Sequence, residues 1–96
     1  MLAYHNDESL KQRTIQAMKD DIAAQRLVTG HYWNGGKGCF VGCVVRGDDH
    51  SKFETQIGVP RVLAYLADHI FERLPNQSDR DAFAIDFLKA PKAGAD

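Results

Sequence analysis

The chain has 96 residues, which suffices for one hydrophobic core but not for two, so we predict a single domain over residues 1–96. Its 12 basic and 13 acidic residues leave a net charge of -1, and because no basic cluster is present we expect no nucleic-acid partner. No apolar stretch is long enough to cross a bilayer and the N-terminal residues do not resemble a signal peptide, so we expect a cytoplasmic protein without a membrane partner.

The first predicted element is an amphipathic helix from about Asp7 to about Val28, after an irregular lead-in over residues 1–6. Asn6 or Asp7 can cap its start, and Gly30 can adopt the left-handed conformation that ends many helices. Apolar side chains recur along this helix at three- to five-residue steps and one longer gap, close to helical spacing: Leu10, Ile15, Met18, Ile22 and Val28.

The stretch from residue 30 to residue 51 holds the only tryptophan, both cysteines and six of the eight glycines. A helix from about Lys37 to Arg46 would place Gly38 and Gly42 one turn apart, a seam of small residues where another helix can approach closely. Alternatively, Asn34-Gly35 is the turn of a hairpin at residues 31–46, because β-branched residues follow it. We favour the helix, since Gly42 would weaken a strand.

Three more helices are predicted after Gly47. The first is short, covers residues 52–56 and ends at Gly58; the second begins near Pro60 and stops before Pro75; the third begins near Ser78 and ends at Pro91. We therefore predict an all-α fold, an irregular bundle of four to five helices, with an α+β fold carrying the hairpin as the alternative.

Cys39 and Cys43 are the candidates for chemistry. Their spacing makes an internal disulfide unfavourable, and because no second cysteine pair is present we predict neither a metal site nor a cofactor. As a residue of the first helical turn beside Lys37, Cys39 would have a stabilised thiolate, with His50 as base and Asp49 or Glu54 orienting it. The opposing interpretation is that both cysteines are small buried hydrophobes.

Aromatic residues and glycines beside these cysteines indicate a binding site. His31, Tyr32 and Trp33 can form the wall of a pocket or, equally, pack the first helix against the second. The loop 35–38 can hold an anion, although turn glycines with positive φ are the simpler explanation. We expect the remaining charged side chains Glu54, Arg61, Asp68 and Glu72 to form solvated ion pairs. The predicted ligand-binding residues are His31, Tyr32, Trp33, Lys37, Gly38 and Asp49.

Several short motifs resemble a group of small bacterial proteins of unknown function, of the kind carried on mobile, integron-type gene cassettes. The resemblance covers most of residues 4–95 and implies a cytoplasmic bacterial protein, but no known activity accompanies it, so it assigns no residue a role. The motifs are Gly36-Lys-Gly-Cys39-Phe-Val-Gly-Cys43, Asp49-His50-Ser51, Phe53-Glu54, Gly58-Val-Pro60-Arg61 and Ile70-Phe71-Glu72.

From these observations we predict a small soluble binding or accessory protein rather than an enzyme, with a ligand or partner site around residues 31–39 and 49–50. The partner, a small molecule or a protein, is not identified by the sequence. The alternative is a cysteine-dependent hydrolase or transferase that uses Cys39 with His50. We also expect a homodimer, because five Phe, three Tyr and one Trp exceed what one small core hides. A purely structural interaction protein would instead expose an apolar patch on a later helix.

Overall fold

The computed structural model describes residues 1–30 and 32–95, and within them the chain forms five α-helices and no strand. The all-α prediction is confirmed, and the α+β alternative is wrong. A short 3₁₀ turn precedes the α-helices. The bounds are Ala3–Asn6 for the 3₁₀ turn, Glu8–Ala23 for α1, Phe40–Val45 for α2, Ser51–Ile57 for α3, Arg61–Arg73 for α4 and Gln77–Lys89 for α5.

Helix α1 begins as predicted but ends earlier. The Asp7 side chain caps it by accepting a hydrogen bond of 3.1 Å from the Leu10 amide. At the other end Gln25, with φ of 59°, occupies the left-handed position that glycine usually takes after a helix. The Arg26 amide then donates back to the Asp21 carbonyl at 2.8 Å. This closure turns the chain away, so Val28 lies outside the helix and Gly30 does not terminate it.

The segment between α1 and α2 is a loop held by backbone hydrogen bonds. The Gly38 amide donates to the Arg26 carbonyl at 2.9 Å, and the Val28 amide donates to the Gly38 carbonyl at 2.8 Å. A tight turn does occur at Asn34–Lys37, closed by the Asn34 amide and the Lys37 carbonyl at 2.7 Å. No hairpin follows, because the chain enters α2 at Phe40, three residues later than the predicted helix start at Lys37.

The later helices match the predicted order, with adjusted ends. Gly58, at φ of 66°, ends α3, and Pro60 directly precedes α4. Helix α5 begins at Gln77, and its cap is the Asn76 side chain, which accepts from the Asp79 amide at 2.9 Å, rather than the predicted Ser78. No helix in the described residues has the length and apolar character needed to cross a membrane.

The core is built around Phe40 on α2, which has no exposed surface. Its ring contacts aromatic rings from the three later helices, with centroid distances of 5.2 to 6.5 Å: Phe53, Phe71, Phe83 and Phe87. The lead-in over residues 1–6, predicted as irregular, also enters the core. Tyr4 is fully buried and donates its hydroxyl to the Leu88 carbonyl at 2.5 Å. Five of the six residues of helix α2 are buried, and Val44 is half-buried.

Helix α4 directs its small side chains inward and most of its large ones outward. Ala64, Ala67 and Phe71 are fully buried. The side chains that we call the α4 outer face are exposed by 39 to 67%: Val62, Leu63, Tyr65, Leu66 and Ile70. The structure thus contains an apolar patch on a later helix, the feature that an interaction protein was expected to show.

Candidate functional site

A cleft of about 250 Å³ opens between the loop after α1 and the side of α4. We call it the Asp68 cleft. Toward solvent it continues into a wider mouth that also borders Tyr65, His69 and Arg73. Its inner walls are formed by residues from the loop, from the residue before α2 and from α4: Gly30, Tyr32, Cys39, Asp68 and Glu72.

Two glycines hold Tyr32 in place at the wall of this cleft. The Tyr32 carbonyl packs directly against Gly38 and Gly42, and a Cβ atom on either glycine would overlap it. The seam of small residues predicted from the sequence therefore exists, but the loop backbone fills it rather than another helix. This contact leaves the Tyr32 side chain 40% exposed at the edge of the cleft.

The floor of the cleft is organised by the carboxylate of Asp68, whose side chain is 13% exposed. Its Oδ2 atom lies 2.7 Å from His50 Nε2. Its Oδ1 atom accepts from the Cys39 thiol at 3.6 Å and from the Val41 amide at 3.4 Å. The Val41 amide belongs to the first turn of α2, where amides lack a partner within the helix. Asp68 therefore caps α2 from another helix while it binds both predicted catalytic residues.

His50 is fixed by aromatic rings as well as by Asp68. Its imidazole stacks on the Tyr65 ring at 4.0 Å with an interplanar angle of 10°, and the Tyr32 ring meets it edge-on at 5.1 Å. Because a carboxylate can only accept, the bond to Asp68 requires the proton on Nε2. Only 6% of His50 is exposed, so this ring is held behind Asp68 by its hydrogen bond and the two tyrosine rings.

Cys39 lies at the cleft as a protonated thiol near neutral pH. Burial raises the pKa of the Cys39 thiol to about 12; the amide of Gly42 opposes this shift, whereas the charges of Asp68 and Glu72 add to it. The shift is opposite to the one that activates a nucleophile. Asp68 also lies between Cys39 and His50 in the hydrogen-bond chain, so His50 directs Nε2 at a carboxylate and not at the sulfur.

Cys43 has a packing role that ties the loop to α2. Its thiol donates to the Gly38 carbonyl at 3.3 Å and to the Arg26 carbonyl at 3.6 Å. Burial, and then the charge of Asp21, raises the pKa of the Cys43 thiol to about 12. Both cysteines are free thiols, and Cys43 behaves as the small buried residue that the sequence favoured.

Other predicted ligand-binding residues do not line the Asp68 cleft. The Arg46 guanidinium lies 4.6 Å from the centroid of the Trp33 ring and reaches the buried Asp21 carboxylate at 3.0 Å, so the indole belongs to an ion-pair network at the end of α1. Lys37 is exposed in the turn, and the Asp49 carboxylate accepts from the Ser51 amide at 3.0 Å. Gly38 is buried beneath Tyr32, and His31 lies outside the described residues.

Asp68 and Glu72 are the residues that the sequence analysis missed. The Glu54–Arg61 pair occurs as expected, at 3.0 Å with Arg61 56% exposed. Asp68 and Glu72, by contrast, face the cleft, and Glu72 accepts from the Gly30 amide at 3.3 Å. Their spacing of one helical turn on α4, beside the buried Ala64, Ala67 and Phe71, was the available signal. Such a pair lies at the border between the core side and the outer side of the helix.

Within residues 1–30 and 32–95, no group of three or more His, Cys, Asp or Glu side chains is placed to hold a metal ion. Comparison with known proteins gives no match: no family model fits the chain, and no curated protein or solved structure is similar to it. The resemblance to mobile-cassette proteins stays a prediction.

Proposed function

We propose that this protein is a small binding protein whose ligand enters the Asp68 cleft. The observation that carries the proposal is the Asp68 network, in which one carboxylate orders Cys39, Val41 and His50 at the floor of an open cleft. Polar groups buried in this way are favourable only when each one is satisfied. A network of this kind beside solvent holds a recognition surface in one geometry, which lowers the entropy lost on binding.

The same geometry favours binding over catalysis by Cys39. A thiol with a raised pKa is a weak nucleophile at neutral pH, and the Cys39 proton is directed at Asp68. The site therefore offers shape, hydrogen-bond partners and aromatic walls, all of which serve recognition. The cysteine-dependent alternative requires a ligand that separates Cys39 from Asp68 and brings the sulfur to a base.

A screen of small compounds by protein-detected NMR tests the binding proposal. Compounds that bind in the cleft are expected to shift the amide signals of Gly30, Tyr32 and Val41. Tyr32→Ala should weaken the binding of these compounds by about tenfold, because a bound compound would bury the exposed part of the ring and tyrosine is enriched among the interface residues whose truncation costs about 1 kcal/mol or more.

Asp86→Asn, an exposed substitution on α5, is the matched control and should leave the affinities unchanged. Compounds that bind only elsewhere, or cleft compounds insensitive to Tyr32→Ala, would contradict the proposal.

A second candidate function is self-association through the α4 outer face. Val62, Leu66 and Ile70 follow one another at four-residue steps and are exposed by 39 to 67%. We infer that a second copy of the chain covers them. A two-fold axis beside Leu66 would place Val62 of each copy next to Ile70 of the other, which is the self-complementary arrangement of a symmetric dimer.

A further inference from the structure

We propose that the Asp68 cleft selects an organic cation, an ammonium or a guanidinium group on a short aliphatic chain. This inference rests on the proposed binding function and names the class of ligand. The cleft brings two carboxylates, Asp68 and Glu72, to one wall, because residues four apart on a helix lie on the same side. None of the five described residues that line the inner cleft is basic.

Of the described residues that line the cleft, both carboxylates can only accept hydrogen bonds when ionised, whereas the Tyr32 hydroxyl can donate or accept. The donors at the floor, the Cys39 thiol and the Val41 amide, are already engaged by Asp68. Among the described residues, the Glu72 carboxylate accepts one hydrogen bond, from the Gly30 amide, whereas an ionised carboxylate can accept about four. A ligand group rich in donors and lacking acceptors suits this arrangement, and ammonium and guanidinium groups meet both conditions.

Aromatic rings complete the match. Tyr32 and Tyr65 border the cleft and its mouth and are 40% and 56% exposed. A cation near the face of a tyrosine ring is attracted by the ring's electrons, and the attraction grows when water is excluded. Partial burial, and then the charge of Asp68, raises the pKa of the Tyr32 hydroxyl, which is consistent with negative potential in the cleft.

In the described part of the chain, one arginine borders the outer edge of this site. Arg73 borders the mouth but not the inner cleft, and its Nε atom donates to His69 at 3.0 Å. His50, which is 6% exposed, reaches Asp68 from the buried side, whereas Glu72 borders both the inner cleft and its mouth. At about 250 Å³ the cavity lies below the range of roughly 300–1,000 Å³ typical of ligand pockets. It suits one small charged group.

Titration of the full chain with three probes of equal length tests the inference: n-butylammonium, butyrate and n-butanol. We expect n-butylammonium alone to shift the Gly30 and Tyr32 amide signals saturably, with an affinity that falls as salt is added. Glu72→Gln should weaken n-butylammonium by about fivefold, the scale of a partly exposed ion pair. Glutamine keeps an acceptor for the Gly30 amide, so this variant removes charge without removing that hydrogen bond.

Glu8→Gln, which neutralises an exposed carboxylate on α1, is the matched control and should leave the affinity for n-butylammonium unchanged. Butyrate or n-butanol binding as tightly as n-butylammonium, or binding unaffected by Glu72→Gln, would overturn the cation inference while leaving the binding function in place. Failure of all three probes and of every screened compound to shift the cleft signals would overturn both.

The cationic group can come from a free amine or from a lysine side chain of a protein, and a second titration separates these sources. A lysine-containing peptide that binds more tightly than n-butylammonium and also shifts the Leu66 and Ile70 signals would assign a protein source, because contacts would extend over the α4 outer face. Equal affinities with shifts confined to the cleft would assign a free amine.

Discussion

Asp68 connects parts of the chain that are distant in sequence. Its carboxylate accepts hydrogen bonds from the Val41 amide at the start of α2, from the Cys39 thiol before α2 and from the His50 imidazole before α3. Loss of such an acceptor leaves buried donors without a partner, which is more costly than the net value of the hydrogen bonds themselves. A single side chain on α4 therefore holds the cleft floor together.

The two thiols make the stability of the protein sensitive to alkaline pH. Both thiols have a pKa of about 12 in the folded chain, against about 8.5 for a cysteine in an unfolded chain. The folded state therefore keeps its protons more tightly, and the stabilisation is complete below about pH 8.5. As the pH rises from about 8.5 toward 12, the free energy of unfolding should fall by up to about 1.4 kcal/mol per pH unit for each thiol.

Urea denaturation between pH 7 and pH 10.5, followed by circular dichroism, measures this fall. The double variant Cys39→Ser/Cys43→Ser keeps a donor at each position but has no thiol to ionise, so its stability should decline less steeply over the same range. Lysine and tyrosine ionisation affects both proteins equally. If stability falls with pH equally in the two proteins, the raised thiol pKa values are contradicted. Alkylation of Cys39 with a midpoint well below pH 8.5 would also contradict them, and it would favour the cysteine-dependent enzyme.

At the scale of secondary structure, helix α2 contains a glycine, Gly42, that lowers its helix propensity but is needed for a packing contact. Glycine inside a helix is about 1 kcal/mol less favourable than alanine, so Gly42 would normally be a weak point. Here it is required because the Tyr32 carbonyl occupies the space where a Cβ would lie. The loop and the helix can pack together only through this glycine.

We expect Gly42→Ala to lower the free energy of unfolding by about 2 kcal/mol. The added methyl group would displace the loop, and the cost of this overpacking exceeds the free energy gained from the higher helix propensity of alanine. Chemical denaturation measures the change. Gly47→Ala is the control, because no atom of the described residues, apart from its own chain neighbours, lies within 4 Å of the point that its Cβ would occupy, and its φ is not left-handed. This substitution should change stability by less than about 0.5 kcal/mol. A Gly42→Ala protein as stable as the parent would show that the loop does not rest on α2.

The helices could be predicted where apolar residues recur at helical spacing and polar residues fill the other positions, as in α1, α4 and α5. The ends of these helices depend on tertiary contacts and were therefore predicted less accurately. Gln25 ends α1 in a conformation that the sequence suggested for Gly30. Helix α2 has six residues, too few to show a period, and the same apolar run is compatible with a strand. In the structure the Asp68 carboxylate caps α2, and because this residue lies far along the chain, the local sequence does not indicate the cap.

For the molecule as a whole, the candidate site was predicted in part. Three residues of the site, Tyr32, Cys39 and His50, were predicted from the sequence because rare residue types concentrate in that stretch. In the structure they lie near one carboxylate, that of Asp68. It assigned Trp33 to the same site, although the indole packs under Arg46. It missed Asp68 and Glu72, since charged residues on an amphipathic helix look alike until the neighbouring loop is placed against them.

The distribution of apolar residues over the molecule predicts a symmetric dimer. Leu66 is 52% exposed at the centre of the α4 outer face. Leu66→Glu should convert the dimer to a monomer, because two copies would bring like charges together at the two-fold axis. Sedimentation equilibrium over a wide range of concentrations measures the association.

Ala82→Glu places the same charge at an exposed position on α5 and should leave the dimer intact. A parent protein that stays monomeric at every concentration would exclude self-association through α4.

The placement of Phe40 has a consequence for how this chain is made. Helix α2 is apolar on every side, and the rings that cover Phe40 belong to α3, α4 and α5, all of which follow it in sequence. During synthesis the segment 40–45 therefore leaves the ribosome before its cover exists. The nascent chain leaves this apolar segment without its full cover until Phe87 has emerged. The segment 40–45 is therefore open to chaperones and to aggregation until these rings are made.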